Sequence, residues 1–87
     1  YYVILNHGDM IINDGFFSSP GGLSSLIDNG YYDYSKGYIE GQNSQYPSLT
    51  INGGTFIDMY TTIKNDDGGI LKINDGIFYG VIYNVGK

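Results

Sequence analysis

The sequence has no cysteine and no arginine, and these two absences remove several classes of protein. Without cysteine the chain can form neither disulfide bonds nor thiolate metal sites. Four lysines stand against nine acidic residues, which gives a formal net charge of -5. A chain this acidic lacks the basic patch with which proteins bind nucleic acids or anionic membranes. It also lacks the apolar run of about eighteen residues that a transmembrane helix requires, so we expect no membrane insertion.

Alanine is also absent, whereas glycine and tyrosine are abundant, with 14 and 10 copies in 87 residues. This composition disfavours helices and favours strands joined by tight turns. A chain of this length forms at most one domain, so we expect a single all-β domain that spans residues 1–87. Tyr1 follows neither an initiator methionine nor a charged-then-apolar leader, which favours a chain processed or cut from a longer protein.

One motif occurs three times, at residues 10–17, 49–56 and 71–78, with the pattern apolar-x-Ile-Asn-(Gly/Asp)-Gly-x-Phe. Its apolar residues two positions apart predict a short strand with one buried face. The following Asn-Gly or Asp-Gly pair predicts a sharp turn, because these residues tolerate positive φ. The Phe then lies in a second short strand. One such unit buries little surface by itself, so its recurrence predicts that the copies stack on one another.

A second motif, Ile-x-Asn followed by a glycine turn, begins at Ile4, Ile27, Ile63 and Ile82. Copies of the two motifs recur roughly every 20 residues, which is within the range of solenoid repeats. We therefore predict a parallel β-helix, or β-solenoid, of about three to four coils. Its interior columns are expected to be the four isoleucines of the second motif, then Ile12, Ile51 and Ile73, and then Phe17, Phe56 and Phe78.

Every copy of the two motifs has an asparagine at the same place, where the strand ends and the turn begins. A side-chain amide can satisfy both the donors and the acceptors that a turn leaves unpaired. Stacked amides can also bond to each other, as in the asparagine ladders of cross-β structures. Asparagine is also simply a frequent turn residue, but its recurrence at one equivalent position favours ladders. The expected ladder residues are Asn6, Asn13, Asn29, Asn52, Asn65, Asn74 and Asn84.

A tyrosine-rich segment interrupts the repeats at about residues 30–47. It is either an irregular extra coil, with residues 38–41 as a degenerate strand, or a protruding loop. Tyrosine offers a flat apolar face and a hydroxyl, which suit both protein surfaces and sugar rings. Long insertions in solenoids often carry the binding role, although these side chains could equally pack in the core. The candidate residues for binding a ligand or partner are Tyr31, Tyr32, Tyr34 and Tyr38.

The chain resembles right-handed parallel β-helix proteins in three stretches: Leu-Thr-Ile-Asn-Gly-Gly-Thr-Phe, Thr-Ile-Lys-Asn-Asp-Asp-Gly-Gly and Leu-Lys-Ile-Asn-Asp-Gly. Such repeats occur in large bacterial surface adhesins and in phage fibres and other virion appendages. The resemblance covers most of residues 3–30 and 48–86. It implies a right-handed β-solenoid and an extracellular, cell-surface or virion location. Function varies within this class, because pectate-lyase-like enzymes, adhesins and phage tailspikes share the architecture.

The acidic residues of the repeats do not favour catalysis. Polysaccharide-cleaving β-helices use clustered carboxylates, often together with arginine or lysine. Asp14 and Asp75 occupy the turn position that Gly53 holds in the middle copy. Asp28 aligns with Lys64 in the second motif, at a position where outward alternation accounts for both. We therefore expect no enzyme activity, with a polysaccharide-degrading β-helix enzyme as a less favoured alternative.

Three aspartates offer the hard oxygen ligands that Ca²⁺ prefers, namely Asp58, Asp66 and Asp67. The glycine-rich nonapeptide that binds Ca²⁺ in other β-rolls is absent, however, and an acidic turn is more often simply solvated. The only histidine, His7, also fits a solvated turn. We therefore expect neither a metal site nor a cofactor.

These observations predict a non-catalytic structural or adhesive module, such as a rigid stalk or surface part of a bacterial extracellular protein or of a phage fibre. The first and last coils are expected to expose unpaired strand edges, which invite further strands. We therefore expect a homo-oligomer, or end-to-end stacking on further coils of a longer β-helix. A glycan-binding module is the alternative, and it requires the tyrosine cluster to face solvent.

Overall fold

The computed structural model describes residues 2–19, 25–30, 32–33, 37–38, 46–66 and 68–87. All regular elements in these residues are strands, which confirms the all-β class. The described residues include no helix long and apolar enough to cross a membrane. The strands are β1 (Ile4–Asn6), β2 (Asp9–Ile12), β3 (Phe16–Ser18), β4 (Ile27–Asn29), β5 (Tyr32–Asp33), β6 (Gly37–Tyr38), β7 (Ser48–Ile51), β8 (Thr55–Asn65), β9 (Ile70–Ile73) and β10 (Ile77–Asn84).

Parallel pairing arranges most of these strands in three rows. Row A contains β1, β4, the second half of β8 and the second half of β10. Row B contains β2, β7 and β9. Row C contains β3, the first half of β8 and the first half of β10. Because β8 and β10 each run through two rows, rows A and C form one five-stranded sheet, and row B is a separate three-stranded sheet.

The pairing brings equivalent residues of the sequence repeats side by side along each row. Alternate residues of a strand point to opposite faces, so each row carries apolar side chains on its inner face, in one column in rows A and C and in two in row B, where Met10, Leu49 and Leu71 form the second. The central members of these columns, in β4, β7 and β8, are fully buried. The columns are Ile4, Ile27, Ile63 and Ile82 in row A, Ile12, Ile51 and Ile73 in row B, and Phe17, Phe56 and Phe78 in row C.

The phenylalanine column of row C is a parallel stack of rings. The ring centroid of Phe56 lies 5.0 Å from that of Phe17 and 4.9 Å from that of Phe78, with interplanar angles of 5° and 7°. Phe56 is fully buried and contacts a ring on each face, whereas Phe17 and Phe78 are only partly buried. The stack therefore ties three successive repeats together through one central ring.

We expect Phe56→Leu to lower the free energy of unfolding by about 2 kcal/mol, and Phe78→Leu by about half as much. The first substitution removes two ring contacts at a buried site, and the second removes one at a partly exposed site. Urea denaturation followed by circular dichroism measures both losses. Equal losses in the two variants would contradict the central role of Phe56 in the stack.

Two strands are longer than the short strands that the motifs predict. β8 has 11 residues and β10 has 8, because each joins the Phe strand of one repeat to the Ile-x-Asn strand of the next. In β10 the register shifts on both sides of Val81, and such irregularities bend a strand sharply. The preceding Gly80 has a φ of 141°, and a Cβ atom there would lie 2.7 Å from the carbonyl oxygen of Asp58. β10 thus bends from row C into row A while it remains one continuous strand.

Rows A, B and C form small sheets that do not close on themselves, so the structure establishes the all-β class but not a closed solenoid. Residues 30–47 separate β4 from β7, and within them β5 and β6 pair with each other in antiparallel orientation. The degenerate strand expected at residues 38–41 is thus represented by Gly37–Tyr38 in β6, which pairs with β5 and not with the rows. Residues 39–41 lie outside the described part of the chain. The division into one domain with an insertion stays a prediction.

Candidate functional site

In the described part of the chain, no further strand pairs with the outer edges of β9 and of the end of β10, and we call this side of the rows the open end. Ile73 and Ile82 close their columns there and are 38% and 39% exposed. One strand further in, their neighbours Ile51 and Ile63 are completely buried. A sheet edge that presents free backbone groups beside apolar side chains is a template for additional strands. The open end is therefore the first candidate for a binding surface.

A step crosses the open end, because row A has four strands and rows B and C have three. Neighbouring strands lie about 4.8 Å apart, so the second half of β10 projects one strand beyond β9. The backbone of Lys87 already lies on this step. Its N–H donates to the carbonyl of Gly69 at 2.9 Å, and its carbonyl accepts from the N–H of Leu71 at 2.8 Å. This is the bonding pattern of a parallel neighbour, so the outer edge of β9 can accept a parallel strand.

Four asparagines, Asn6, Asn29, Asn65 and Asn84, form a chain of side-chain hydrogen bonds that we call the buried ladder. The Nδ2 group of each donates to the Oδ1 atom of the next, at 2.7, 2.8 and 2.8 Å. The two central asparagines are completely buried. The amide of Asn29 also donates to the carbonyls of Pro47 and Ile70. The buried ladder therefore satisfies turn carbonyls while it links four strands of row A.

Three further asparagines, Asn13, Asn52 and Asn74, form the exposed ladder at another corner. Asn74 donates to Asn52 at 2.6 Å, and Asn52 donates to Asn13 at 3.0 Å. All three are exposed to solvent. The donors of this ladder point away from the open end, whereas those of the buried ladder point towards it. The Oδ1 atom of Asn74 is consequently the next acceptor in the exposed ladder at the open end.

Asp28 and Asp66 form a buried pair of carboxyl groups beside row A, and they are 2% and 5% exposed. Burial raises the pKa of Asp28 from 3.8 to about 7, with a further increase from the hydrogen bond and negative charge of Asp66. Lys64 and a hydrogen bond from Tyr2 lower the pKa of Asp28 in part. Lys64 Nζ lies 3.4 Å from Asp66 Oδ1. Asp28 therefore retains its proton to higher pH than an exposed carboxyl group does.

The burial of Asp28 corrects the expectation that it points outward into solvent. Asp28 does align with Lys64 in the row A register, but Tyr2, Lys64 and Asp66 gather around its carboxyl group. The expectation of a solvated acidic turn is also wrong at Asp66, which is buried. The sequence contained one signal for this cluster of charges, namely the alignment of Asp28 with Lys64 in the repeats. Opposite charges on neighbouring strands attract each other.

Asp58, named as a possible Ca²⁺ ligand, is a further buried carboxyl group, at 3% exposure. Its Oδ1 atom accepts a hydrogen bond from the N–H of Tyr60 at 2.8 Å, so it serves the bend within β8. Asp67, the third aspartate considered for Ca²⁺, lies outside the described residues. Across the described part of the chain, no three histidine, aspartate or glutamate side chains form a group that could hold a metal ion.

An open groove of about 380 Å³ follows the turns beside the exposed ladder. Asp14 and Asp75 lie in it, on either side of the Gly53 position. Each carboxylate accepts a hydrogen bond from the N–H of the following glycine at 2.8 Å. These aspartates therefore serve as turn residues. The groove is lined by Asn13, Asp14, Gly53, Gly54, Thr55, Asp75, Gly76 and Ile77.

The tyrosines predicted to bind a ligand or partner fall in the segment between β4 and β7. Tyr31 and Tyr34 lie outside the described residues. Tyr32 and Tyr38 lie in β5 and β6, and the antiparallel register sets their backbones opposite each other. The binding role of all four stays a prediction.

Comparison with models of protein families, with characterised proteins and with solved structures finds no match to this chain. The open end, the two ladders and the buried carboxyl pair are therefore the features from which a function can be inferred.

Proposed function

We propose that this chain is a non-catalytic structural or adhesive module, built as a right-handed parallel β-helix in a bacterial extracellular surface protein or a phage fibre. The observation that carries the proposal is the open end, where the apolar columns of the rows finish uncovered. Parallel pairing supports right-handed winding, since crossover connections between parallel strands are right-handed almost without exception. Stacked repeats of this kind suit a stalk or an extended surface.

The placement of the polar side chains supports a structural role over an enzymatic one. The amides of both ladders are engaged in bonds that link one repeat to the next. Asp14 and Asp75 accept hydrogen bonds from their own turns. Asp28 and Asp66 are shielded from solvent, where a polysaccharide cannot reach them. The described carboxyl groups of the repeats are thus engaged in turns or out of reach of a polysaccharide, which favours a structural role.

The partner that suits the open end is further β-structure, either another copy of this chain or more turns of a β-helix. The inner columns end there with Leu71 and Phe78 partly buried and with Ile73 and Ile82 exposed. Association there would bury the end of each column and pair the free backbone edge. The exposed apolar residues that end the inner columns there are Ile73 and Ile82.

We expect the mass measured by light scattering to rise with concentration, and Ile82→Lys to suppress the rise. Ile82 ends the inner column of row A, and a lysine there places a charge where the next layer would pack. Tyr83→Lys is the matched control, because this exposed neighbour points to the opposite face of β10. Circular dichroism of both variants establishes that they are folded.

Suppression of the rise by Tyr83→Lys alone would show that copies meet through their outer faces and not through the open end. A constant monomer mass for the unsubstituted chain would contradict self-association altogether. The glycan-binding alternative would then gain support. Its favouring observation is the antiparallel pairing of β5 with β6, which sets the backbones of Tyr32 and Tyr38 opposite each other, and a glycan-array screen of the chain would follow.

A further inference from the structure

The chain contains two Asn-Gly pairs, Asn29-Gly30 and Asn52-Gly53, and both asparagines belong to a ladder. The side chain of an asparagine can be attacked by the backbone nitrogen of the next residue, and a glycine there has no Cβ atom to hinder the approach. Asn29 and Gly30 are buried, whereas Asn52 is exposed and Gly53 is partly exposed. Among the ladder asparagines, Asn52 alone combines an exposed side chain with a following glycine.

We propose that Asn52 is a site of spontaneous deamidation, a reaction that needs only water besides the chain itself. The backbone nitrogen of Gly53 bonds to the side-chain carbonyl carbon of Asn52. Its proton passes through water to Nδ2, which leaves as ammonia when the Cγ–Nδ2 bond breaks. Water then opens the resulting succinimide ring. Breakage of the new Cγ–N bond leaves aspartate, and breakage of the original backbone C–N bond leaves isoaspartate.

The turn that follows β7 is anchored at both ends and leaves the attacking nitrogen unbonded. The N–H of Asn52 donates to the carbonyl of Ile12 at 2.8 Å, and the N–H of Thr55 donates to that of Gly15 at 2.9 Å. Between these anchors, the N–H of Gly53 has no hydrogen-bond partner among the residues that the structure describes. Gly53 also lines the open groove of about 380 Å³, so water reaches the reacting groups.

The exposed ladder polarises the carbonyl group that is attacked. Asn74 Nδ2 donates to Asn52 Oδ1 at 2.6 Å, and this oxygen is the atom on which negative charge develops during the attack. The leaving nitrogen of Asn52 donates to Asn13 Oδ1 at 3.0 Å, in a hydrogen bond at the surface. Solvent can therefore replace that bond as ammonia departs.

Asn29 is protected from the same reaction although a glycine follows it. The N–H of Gly30 donates to the carbonyl of Asn6 at 3.2 Å, so the attacking nitrogen is engaged. The Nδ2 group of Asn29 donates to three acceptors in the buried ladder and its turns. Attack at Asn29 requires these bonds to break in a local opening of the core, which costs free energy. Attack at Asn52 requires only a rearrangement of a surface turn.

The first and third copies of the repeated motif supply the complementary comparison. Asn13 and Asn74 are exposed members of the same ladder as Asn52, but an aspartate follows each of them. A Cβ atom and a carboxylate then stand beside the attacking nitrogen. We therefore expect Asn13 and Asn74 to react slowly despite their exposure.

Deamidation places a carboxylate in the middle of the exposed ladder. The aspartate product still accepts from Asn74 but can no longer donate to Asn13. The isoaspartate product also lengthens the backbone next to Gly53, where a Cβ atom would lie 2.7 Å from the carbonyl oxygen of Asn13. Space is thus tight on this side of the turn, and we expect isoaspartate to disturb it more than aspartate does.

The test follows each asparagine of the whole folded chain by peptide mapping and mass spectrometry during incubation at mildly alkaline pH. We expect Asn52 to convert at least about tenfold faster than Asn29, Asn13 or Asn74. The same incubation in urea should raise the rate at Asn29 to near that at Asn52, because unfolding exposes both Asn-Gly pairs. Asn13 and Asn74 should stay slow. Asn43, which lies outside the described residues, is measured in a separate peptide.

Asp75→Gly is the converse variant, because it gives the third copy the Asn-Gly pair of the middle copy. We expect Asn74 in this variant to convert at a rate close to that of Asn52, and circular dichroism establishes that the variant is folded. Conversion of Asn52 that occurs only in urea, or that is no faster than conversion of Asn29 in the folded chain, would overturn the inference. An Asn74 that stays intact in Asp75→Gly would overturn it as well, since exposure and a following glycine would then not suffice.

Discussion

Asn29→Asp is expected to lower the free energy of unfolding by about 4 kcal/mol, because it replaces a buried donor by an acceptor. The Nδ2 group of Asn29 donates to Asn65 Oδ1 at 2.8 Å, to the Ile70 carbonyl at 3.1 Å and to the Pro47 carbonyl at 3.3 Å. An aspartate has the same shape but directs an oxygen at these three acceptors. Since Asn29 is completely buried, water cannot relieve the conflict.

Asn52→Asp is the matched control for this prediction. Asn52 occupies the middle of the exposed ladder, where it donates to Asn13 and accepts from Asn74. Its side chain is exposed, so water can replace the lost bond, and we expect a cost of about 1 kcal/mol or less. Urea denaturation of both variants at one pH measures the contrast.

A third variant keeps the comparison decisive where Asn29→Asp leaves too little folded protein to measure. Asn84 accepts from Asn65 at the exposed end of the buried ladder. Asn84→Asp keeps that accepting oxygen, so its cost should resemble that of Asn52→Asp. Losses of similar size at positions 29, 52 and 84 would contradict the view that burial makes the central ladder amides essential.

The columns and ladders were predictable because each depends on equivalent positions of a repeat. Parallel strands in register bring equivalent residues together whatever the turns between them do. The alignment of Ile12 with Ile51 across 39 residues therefore survives the tyrosine-rich segment between them. The hydrogen bonds of both ladders likewise link the same asparagines that the repeats align.

The burial of the acidic side chains was not predictable from the same alternation. Alternation assigns Asp28 to the outer face of its strand, but whether an outer face meets solvent depends on what packs over it. At Asp28 this is decided by Tyr2 and Asp66, residues distant in sequence or in an adjoining turn. The lengths of β8 and β10 were missed for a related reason, since a strand can bend through a corner instead of ending there.

The open end combines predictable and unpredictable features. Repeat order alone indicates that the Ile-x-Asn motif occurs four times and the other motif three times. The resulting step, however, is defined only once the rows are known, because it requires the second half of β10 to pair with β8. The contact of Lys87 with Gly69 and Leu71 has no sequence signal, as it depends on backbone atoms alone.

Asp28→Asn is expected to remove most of the pH dependence of stability between about pH 4 and pH 7. In the folded chain the pKa of Asp28 is raised from 3.8 to about 7, so folding favours the protonated carboxyl group. Well below pH 4 the carboxyl group of Asp28 is protonated in both the folded and the unfolded chain. As the pH rises, the unfolded chain loses this proton first, and the folded chain loses it only near pH 7. Over this interval the chain should lose up to about 4 kcal/mol of its free energy of unfolding.

An asparagine keeps the shape of the protonated aspartate and cannot ionise, so the variant should match the unsubstituted chain near pH 4 and exceed its stability near pH 8. Urea denaturation of both proteins at closely spaced pH values gives the difference curve, which isolates the contribution of Asp28. Asp14→Asn, at an exposed turn, is the control for the loss of a carboxyl group outside the buried pair. Parallel curves for Asp28→Asn and the unsubstituted chain would show that Asp28 does not hold a proton at neutral pH and would contradict its raised pKa.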